Sequence, residues 1–227
     1  MNAPTAGGAA DPDGRTGGDL DAALATLDVG MPPEAGDRLR AFLALLAKWN
    51  RVYNLTAVRE PERMVTHHLL DSLAVLPQLA GGSGTRVLDI GTGAGLPGIP
   101  LSIARPKWAL TLIDSNQKKA SFVQQAVSEL QLPNVVARAV RAEALAAADG
   151  FDLIISRAFA DLATFVAVAR PLLAGGGRIV AMKGQLPRHE IAALPGDVRV
   201  VATPALRVPG LPAQRHLVII EATEPRP

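Results

Sequence analysis

The chain contains no cysteine. That absence excludes a disulfide framework, a thiolate metal site and a cysteine nucleophile together. No apolar run reaches the length of a membrane span. The opening residues, MNAPTAGGAADPDGR, lack both the basic start and the apolar core of a secretory signal, so a cytoplasmic location is expected. No internal repeat is present. Bases are scarce at the start: residues 1–37 hold seven acids and only Arg15, a net of −6. Because the whole chain carries +2, the remaining 190 residues carry +8. A folded body of that sign favours a polyanionic partner.

What is present suits one α/β domain with a modest addition. The chain has 227 residues, 48% of them hydrophobic, enough to bury a sizeable core. Residues 1–18 are rich in Gly, Ala, Asp and Pro without periodicity and read as a disordered tail. Residues 19–84 read as a helical extension. Leu39, Phe42, Leu46, Trp49 and Tyr53 recur at spacings of three and four, one helical face. A second helix is expected from Pro61, with Val65, Leu69, Leu73 and Leu76 on its apolar side. Pro77 and the glycine-rich run 81–84 end it.

From residue 85 to 227 the pattern alternates strand and helix. Strands are expected at 86–90, 109–113, 135–139, 151–156, 178–182, 198–202 and 216–221, and helices near 98–105, 116–130, 161–173 and 187–193. Alternation of this kind implies right-handed crossovers and a doubly wound, mostly parallel seven-stranded sheet. The last two strands lack a helix between them and should pair antiparallel at one edge.

The strongest local signal is VLDIGTGAGLPG, residues 87–98. A hydrophobic strand runs into Asp89, then a glycine-rich turn, then a helix. Residues 93–98 also fit the dinucleotide pattern G-x-G-x-x-G. Three features oppose that reading. The first glycine after the strand is Gly91, so the matching frame starts late. Pro97 has no N–H to offer a pyrophosphate where the helix begins. Asp89 would repel a pyrophosphate but suits a cationic ligand. S-adenosylmethionine carries an ammonium, a sulfonium and a ribose diol and no phosphate. It fits a carboxylate at Asp89 and glycine backbone at Gly91 and Gly93.

Asp114 closes the second strand and can accept from both ribose hydroxyls; capping the following helix is an alternative role that can coexist. Arg141-Ala142-Glu143 follows the third strand, where a backbone N–H and a carboxylate can read an adenine edge. An acid in a helix's first turn is an equally good reading of Glu143.

Six motifs in order carry a family resemblance: WNRVYNLT (49–56), HLLDSL (68–73), DIGTGAGLPG (89–98), ISRAFA (155–160), KGQ (183–185) and RHLV (215–218). Together they resemble the bacterial 16S ribosomal RNA guanine-N7 methyltransferase G family, also called glucose-inhibited division protein B. The resemblance runs from about residue 40 to 222. It implies a Rossmann-like class I methyltransferase fold, with S-adenosylmethionine as donor and N7 of guanine 527 as acceptor. The implied partner is 16S rRNA or the small ribosomal subunit, with the protein acting as a monomer. The family's cofactor contacts carry over onto Gly91, Leu96, Ala142, Glu143 and Arg157.

The residues agree with that chemistry. Cytosine C5 enzymes need a cysteine nucleophile, and none exists here. Exocyclic-amine enzymes usually carry an acid- or Asn-Pro-Pro-aromatic run after the fourth strand; Ser156-Arg157-Ala158-Phe159 stands there instead. Guanine N7 already owns a free lone pair and needs no general base. Arg157 is the expected catalytic residue, at the meeting of cofactor and base, with guanine O6 as one target. A structural ion pair is the alternative. Asn54, Lys183 and Arg215 are the expected RNA contacts, within a wider basic set of Lys118, Lys119, Arg138, Arg141, Arg188 and Arg207. Asn50 is a further surface candidate. Trp49 and Tyr53 could stack on bases, but their helical spacing favours core packing. No metal site is expected, since His67 and His68 lack partner ligands at suitable spacing. A nicotinamide-dependent oxidoreductase and a non-catalytic, cofactor-sensing RNA-binding module are the rival readings.

Overall fold

A computed structural model describes residues 16–157 and 159–223. Seven strands form one sheet in the order β3-β2-β1-β4-β5-β7-β6. They are β1 (Arg86–Ile90), β2 (Ala109–Asp114), β3 (Val135–Ala139), β4 (Phe151–Ser156), β5 (Leu173–Lys183), β6 (Val198–Ala202) and β7 (His216–Ala222). The first five pair in parallel, and β7 runs antiparallel to both β5 and β6. The expected antiparallel pair is therefore present, with β7 inside and β6 at the rim. Composition explains that order. Leu217, Val218, Ile219 and Ile220 are all buried, as an interior strand requires, whereas β6 is buried only at Val198.

Side chains alternate across the sheet and build two apolar layers. On one side Val87, Leu110, Leu112, Leu153 and Ile155 pack with Phe42, Leu46, Ile99 and Phe122. On the other Leu88, Ile90, Ile154 and Ile179 pack with Leu162, Phe165 and Val166. The helices are α1 (Thr16–Leu27), α2 (Ala35–Tyr53), α3 (Pro61–Met64), α4 (Asp71–Leu73), α5 (Gly98–Ala104), α6 (Gln117–Glu129), α7 (Leu162–Ala169) and α8 (Arg188–Ala192). Leu20, Leu39, Leu69 and Leu73 join the first layer, so the helical extension shares its core with α5 and α6. Among the described residues no helix is long and apolar enough to cross a membrane.

Four local features depart from the sequence pattern. Helix α1 begins at Thr16 and overlaps the end of the stretch read as a tail; residues 1–15 lie outside the described ones. Strand β5 starts at Leu173 rather than 178, because pairing of Leu173 with Phe151 recruits a glycine-rich run that has little strand propensity of its own. The second expected helix is not a uniform α-helix: a π-helix, Val65–Leu70, separates α3 from α4. There the Asp71 amide reaches back five residues to the Thr66 carbonyl. Finally, the apolar stripe of α2 runs out at its end. Leu39, Phe42 and Leu46 are buried, but Tyr53 is 47% exposed and rests on Trp49, ring centroids 5.1 Å apart. The last turn extends past its neighbours, leaving Tyr53 outside the core.

Candidate active site

The glycine-rich turn is organised around a buried acid. Asp89 is fully buried, and its Oδ2 accepts from Thr92 Oγ1 at 2.7 Å and from the Gly98 amide at 2.9 Å. The first amide of α5 is thus already spent on a carboxylate. Pro97 before it has no N–H, so this helix terminus has little to offer a pyrophosphate. That disposes of the dinucleotide reading. Asp89 Oδ1 is buried and has no hydrogen-bond partner. Burial pushes the carboxyl up to about 6, against the hydrogen bonds from Thr92 and Gly98 and the charge of Arg157. A buried acceptor left open in this way suits a cationic group.

The glycines divide into two kinds, a division invisible in the sequence. At Gly91, φ is +70° and a Cβ would meet nothing within 4 Å, so the backbone borders open space. At Gly98 a Cβ would lie 2.2 Å from Leu112 and 2.8 Å from Asp89 Oδ2. Gly91 leaves room for a ligand; Gly98 permits α5 to close on the sheet.

Asp114 is nearly buried and supports the same turn. Its Oδ2 accepts from the Gly93 amide at 2.9 Å and its Oδ1 from the Asn116 amide at 2.8 Å. The cap of α6 is Asn116, which accepts from the amides of Lys118 and Lys119. Asp114 is therefore free of the capping role, and each of its oxygens retains a lone pair for a ligand hydroxyl. Replacing Asp114 with asparagine is expected to weaken adenosylhomocysteine binding by roughly ten- to a hundredfold. Calorimetry showing unchanged affinity would remove the residue from the site.

A crevice at the carboxyl ends of β1, β2 and β3 is lined by Ile90, Gly91, Asp114, Ala142, Glu143 and Phe159, among others. A 3-10 turn, Ala142–Ala144, opens on its wall. A helical turn cannot satisfy its own first amides, and here they belong to Ala142 and Glu143. Ala142 is buried and Glu143 exposed. Leu96 is different: its side chain lies in the core and its amide donates to the Thr92 carbonyl. Open backbone at Gly91, an orphaned oxygen on Asp89, carboxylate lone pairs on Asp114 and the first amides of a 3-10 turn form a polar set that fits S-adenosylmethionine.

Arg157, just after β4, does not stand alone. Its Nη1 donates to the His67 carbonyl at 3.1 Å and lies 3.4 Å from Asp71 Oδ2. Asp71 Oδ1 accepts from Arg215 Nε at 2.7 Å. One carboxylate, 4% exposed, thus joins two arginines from β4 and from the approach to β7. Burial presses Arg157 toward neutrality, and Asp71 chiefly opposes it. The ion-pair reading of Arg157 therefore has a definite partner, yet its remaining N–H groups stay available to a ligand. His68, beside it, is buried and donor or acceptor to Thr56 Oγ1 at 2.9 Å. Burial and the Arg157 charge lower its pKa to about 4, so it is neutral at pH 7.

The other expected RNA contacts fall differently. Lys183 Nζ donates to Glu190 Oε2 at 2.8 Å and to the carbonyls of Phe159 and Ala160, both at 3.2 Å. Asn54 ends α2 in the left-handed conformation, and its side chain accepts from Arg59. Asn50 is no surface residue: it is 5% exposed and ties α2 to Thr56 and Val58. Among the described residues, Lys118, Lys119, Arg138 and Arg141 have no ion-pair partner. Arg141 lines the crevice, Lys118 and Lys119 stand in the first turn of α6, and Arg138 lies in β3. Sequence reading missed Asp71, Glu190 and the pocket role of Phe159. Asp71 was inside a quoted motif, but nothing local distinguishes it from a solvent-facing helix acid.

Known proteins similar to this chain share one description. A "Ribosomal RNA small subunit methyltransferase G" from Nitrosospira multiformis is 50% identical over 205 residues, covering 87% of this chain and 94% of that protein. The protein of the same name from Laribacter hongkongensis is 52% identical over 200 residues, covering 88% and 95%. A solved SAM-dependent methyltransferase from Aquifex aeolicus shares the fold, with a TM-score of 0.55 at 17% identity, covering 78% of this chain and 97% of that one. Residues 36–218 match the family described as rRNA small subunit methyltransferase G, and the chain belongs to that family.

Proposed function

We propose that the protein transfers a methyl group from S-adenosylmethionine to N7 of guanine 527 in 16S rRNA. It acts as a monomer in the cytoplasm, on the small ribosomal subunit or its RNA. The observation that carries this reading is the crevice bordered by the bare backbone of Gly91 and by Asp114, next to a buried Asp89 whose Oδ1 has no partner.

The bound cofactor supplies an electrophilic methyl carbon on a sulfonium. The chain's residues bind and orient. Asp89 would hold the ammonium, Asp114 the ribose diol, and the amides of Ala142 and Glu143 the adenine edge. Gly93 and Leu96 would act by shaping the turn, their amides being held by Asp114 and by the Thr92 carbonyl. N7 attacks with its own lone pair, so no residue need take a proton. Catalysis is then positioning in a water-poor site. Arg157, bridged to Asp71, would meet both cofactor and base; Arg215 shares that carboxylate and would offer its remaining donors to a phosphate.

Transfer of labelled methyl to isolated small subunits, followed by mapping of the modified base, tests the assignment. No incorporation, or incorporation at another base, would overturn it. The basic rim has its own test. A Lys118→Ala/Lys119→Ala double variant should flatten the dependence of log affinity on log salt by about 1.4, since each single-strand phosphate contact contributes about 0.7. An unchanged slope would place the RNA elsewhere.

A further inference from the structure

We propose that Lys183 and Glu190 form a latch that positions the loop bordering the cofactor crevice, and that Lys183 does not bind RNA. An ammonium has three protons, and Lys183 finds three internal acceptors: Glu190 Oε2 and the carbonyls of Phe159 and Ala160. Its side chain is only 11% exposed. Nothing is left over for a phosphate. Glu190 Oε2 accepts a second bond, from the Leu162 amide at 2.8 Å, and Leu162 is the first residue of α7. The pair thus ties the end of β5 and α8 to Phe159, Ala160 and the start of α7.

That segment matters because it borders the ligand. Phe159 lines the crevice together with Thr164 and Val168 of α7. Its ring rests on Phe165, centroids 5.0 Å apart. Lys183 holds the backbone of Phe159 while Glu190 holds the start of the helix beneath it. Both are positioning residues: neither lines the crevice, and each acts through Phe159 and α7. Removing either one leaves the other's charge half-buried and unpaired, which makes them a coupled pair.

The proposal rests on the reading that the crevice takes S-adenosylmethionine, and its test separates the two. Adenosylhomocysteine is titrated calorimetrically into the full chain and into Lys183→Met, Glu190→Gln and the double variant. The parent protein failing to bind would overturn the cofactor reading itself. With the parent binding, each single variant should bind about tenfold more weakly, and the double variant no worse than the weaker single. The salt slope of RNA binding should not move in Lys183→Met. Unchanged cofactor affinity, additive losses in the double variant, or a shallower salt slope would each overturn the latch. Glu190→Gln keeps the size and an acceptor for Leu162, so it folds and decides the matter even where Lys183→Met does not.

Discussion

Asp71→Ala is expected to cost about 3 kcal/mol of stability and to abolish most methyl transfer. The substitution strands two arginines that now share one buried carboxylate. Breaking a buried pair typically costs about 3–5 kcal/mol. The lower end applies because Arg157 and Arg215 keep 27% and 23% of their side-chain surface in solvent. Denaturant unfolding reads the loss, and a variant as stable as the parent would show that the carboxylate is dispensable. Asp71→Asn should be milder, since an amide oxygen still accepts from Arg215 Nε. Activity should fall in both, because Arg157 loses the group that orients it across from Asp89. Arg157→Ala gives the complementary measurement: normal cofactor affinity together with normal turnover would leave Arg157 a purely structural residue.

Cofactor binding is expected to weaken roughly tenfold between pH 7 and pH 5, through Asp89 alone. Burial raises this carboxyl to about 6, above its ordinary value of 3.8. The sign follows. Folding favours the protonated form, so the group's contribution to stability is present at low pH and is lost as pH rises through about 6. A ligand ammonium favours the opposite form. Binding therefore expels the proton, affinity is level above about pH 6, and it declines by about tenfold per unit below. Calorimetry of adenosylhomocysteine across this range, in buffers of different ionisation heat, reads both the decline and the released proton. Asp89→Asn should bind weakly at every pH and show no decline. A parent protein with pH-independent affinity would remove the ion pair between Asp89 and the ligand.

Much of the strand and helix order follows from local periodicity. β1, β3, β4 and β6 match their sequence patterns residue for residue, because runs of β-branched and aliphatic residues report strands directly. The glycine run at the head of β5 and the π-helix at 65–70 carry no such pattern. The head of β5 pairs with Phe151, and within the π-helix the His67 carbonyl accepts from Arg157, contacts that no local pattern announces. The site divides in the same way. Asp89, Gly91 and Asp114 sit at strand ends, and Asp89 bonds Thr92 and Gly98 while Asp114 bonds Asn116, all within ten residues. Lys183 and Asn50 looked like surface groups, since a sequence does not show which acceptors lie nearby.

From residue types and spacing alone came the doubly wound sheet, its antiparallel rim and an acid-glycine turn at the end of the first strand. Those depend on interactions between neighbours along the chain. Only tertiary structure decided what Asp71, Lys183 and Glu190 touch. Asp71 meets Arg157 from 86 residues away and Arg215 from 144, and Lys183 meets Phe159 from 24. A charge's meaning depends on its dielectric surroundings and its counter-charge, and both are assembled by folding.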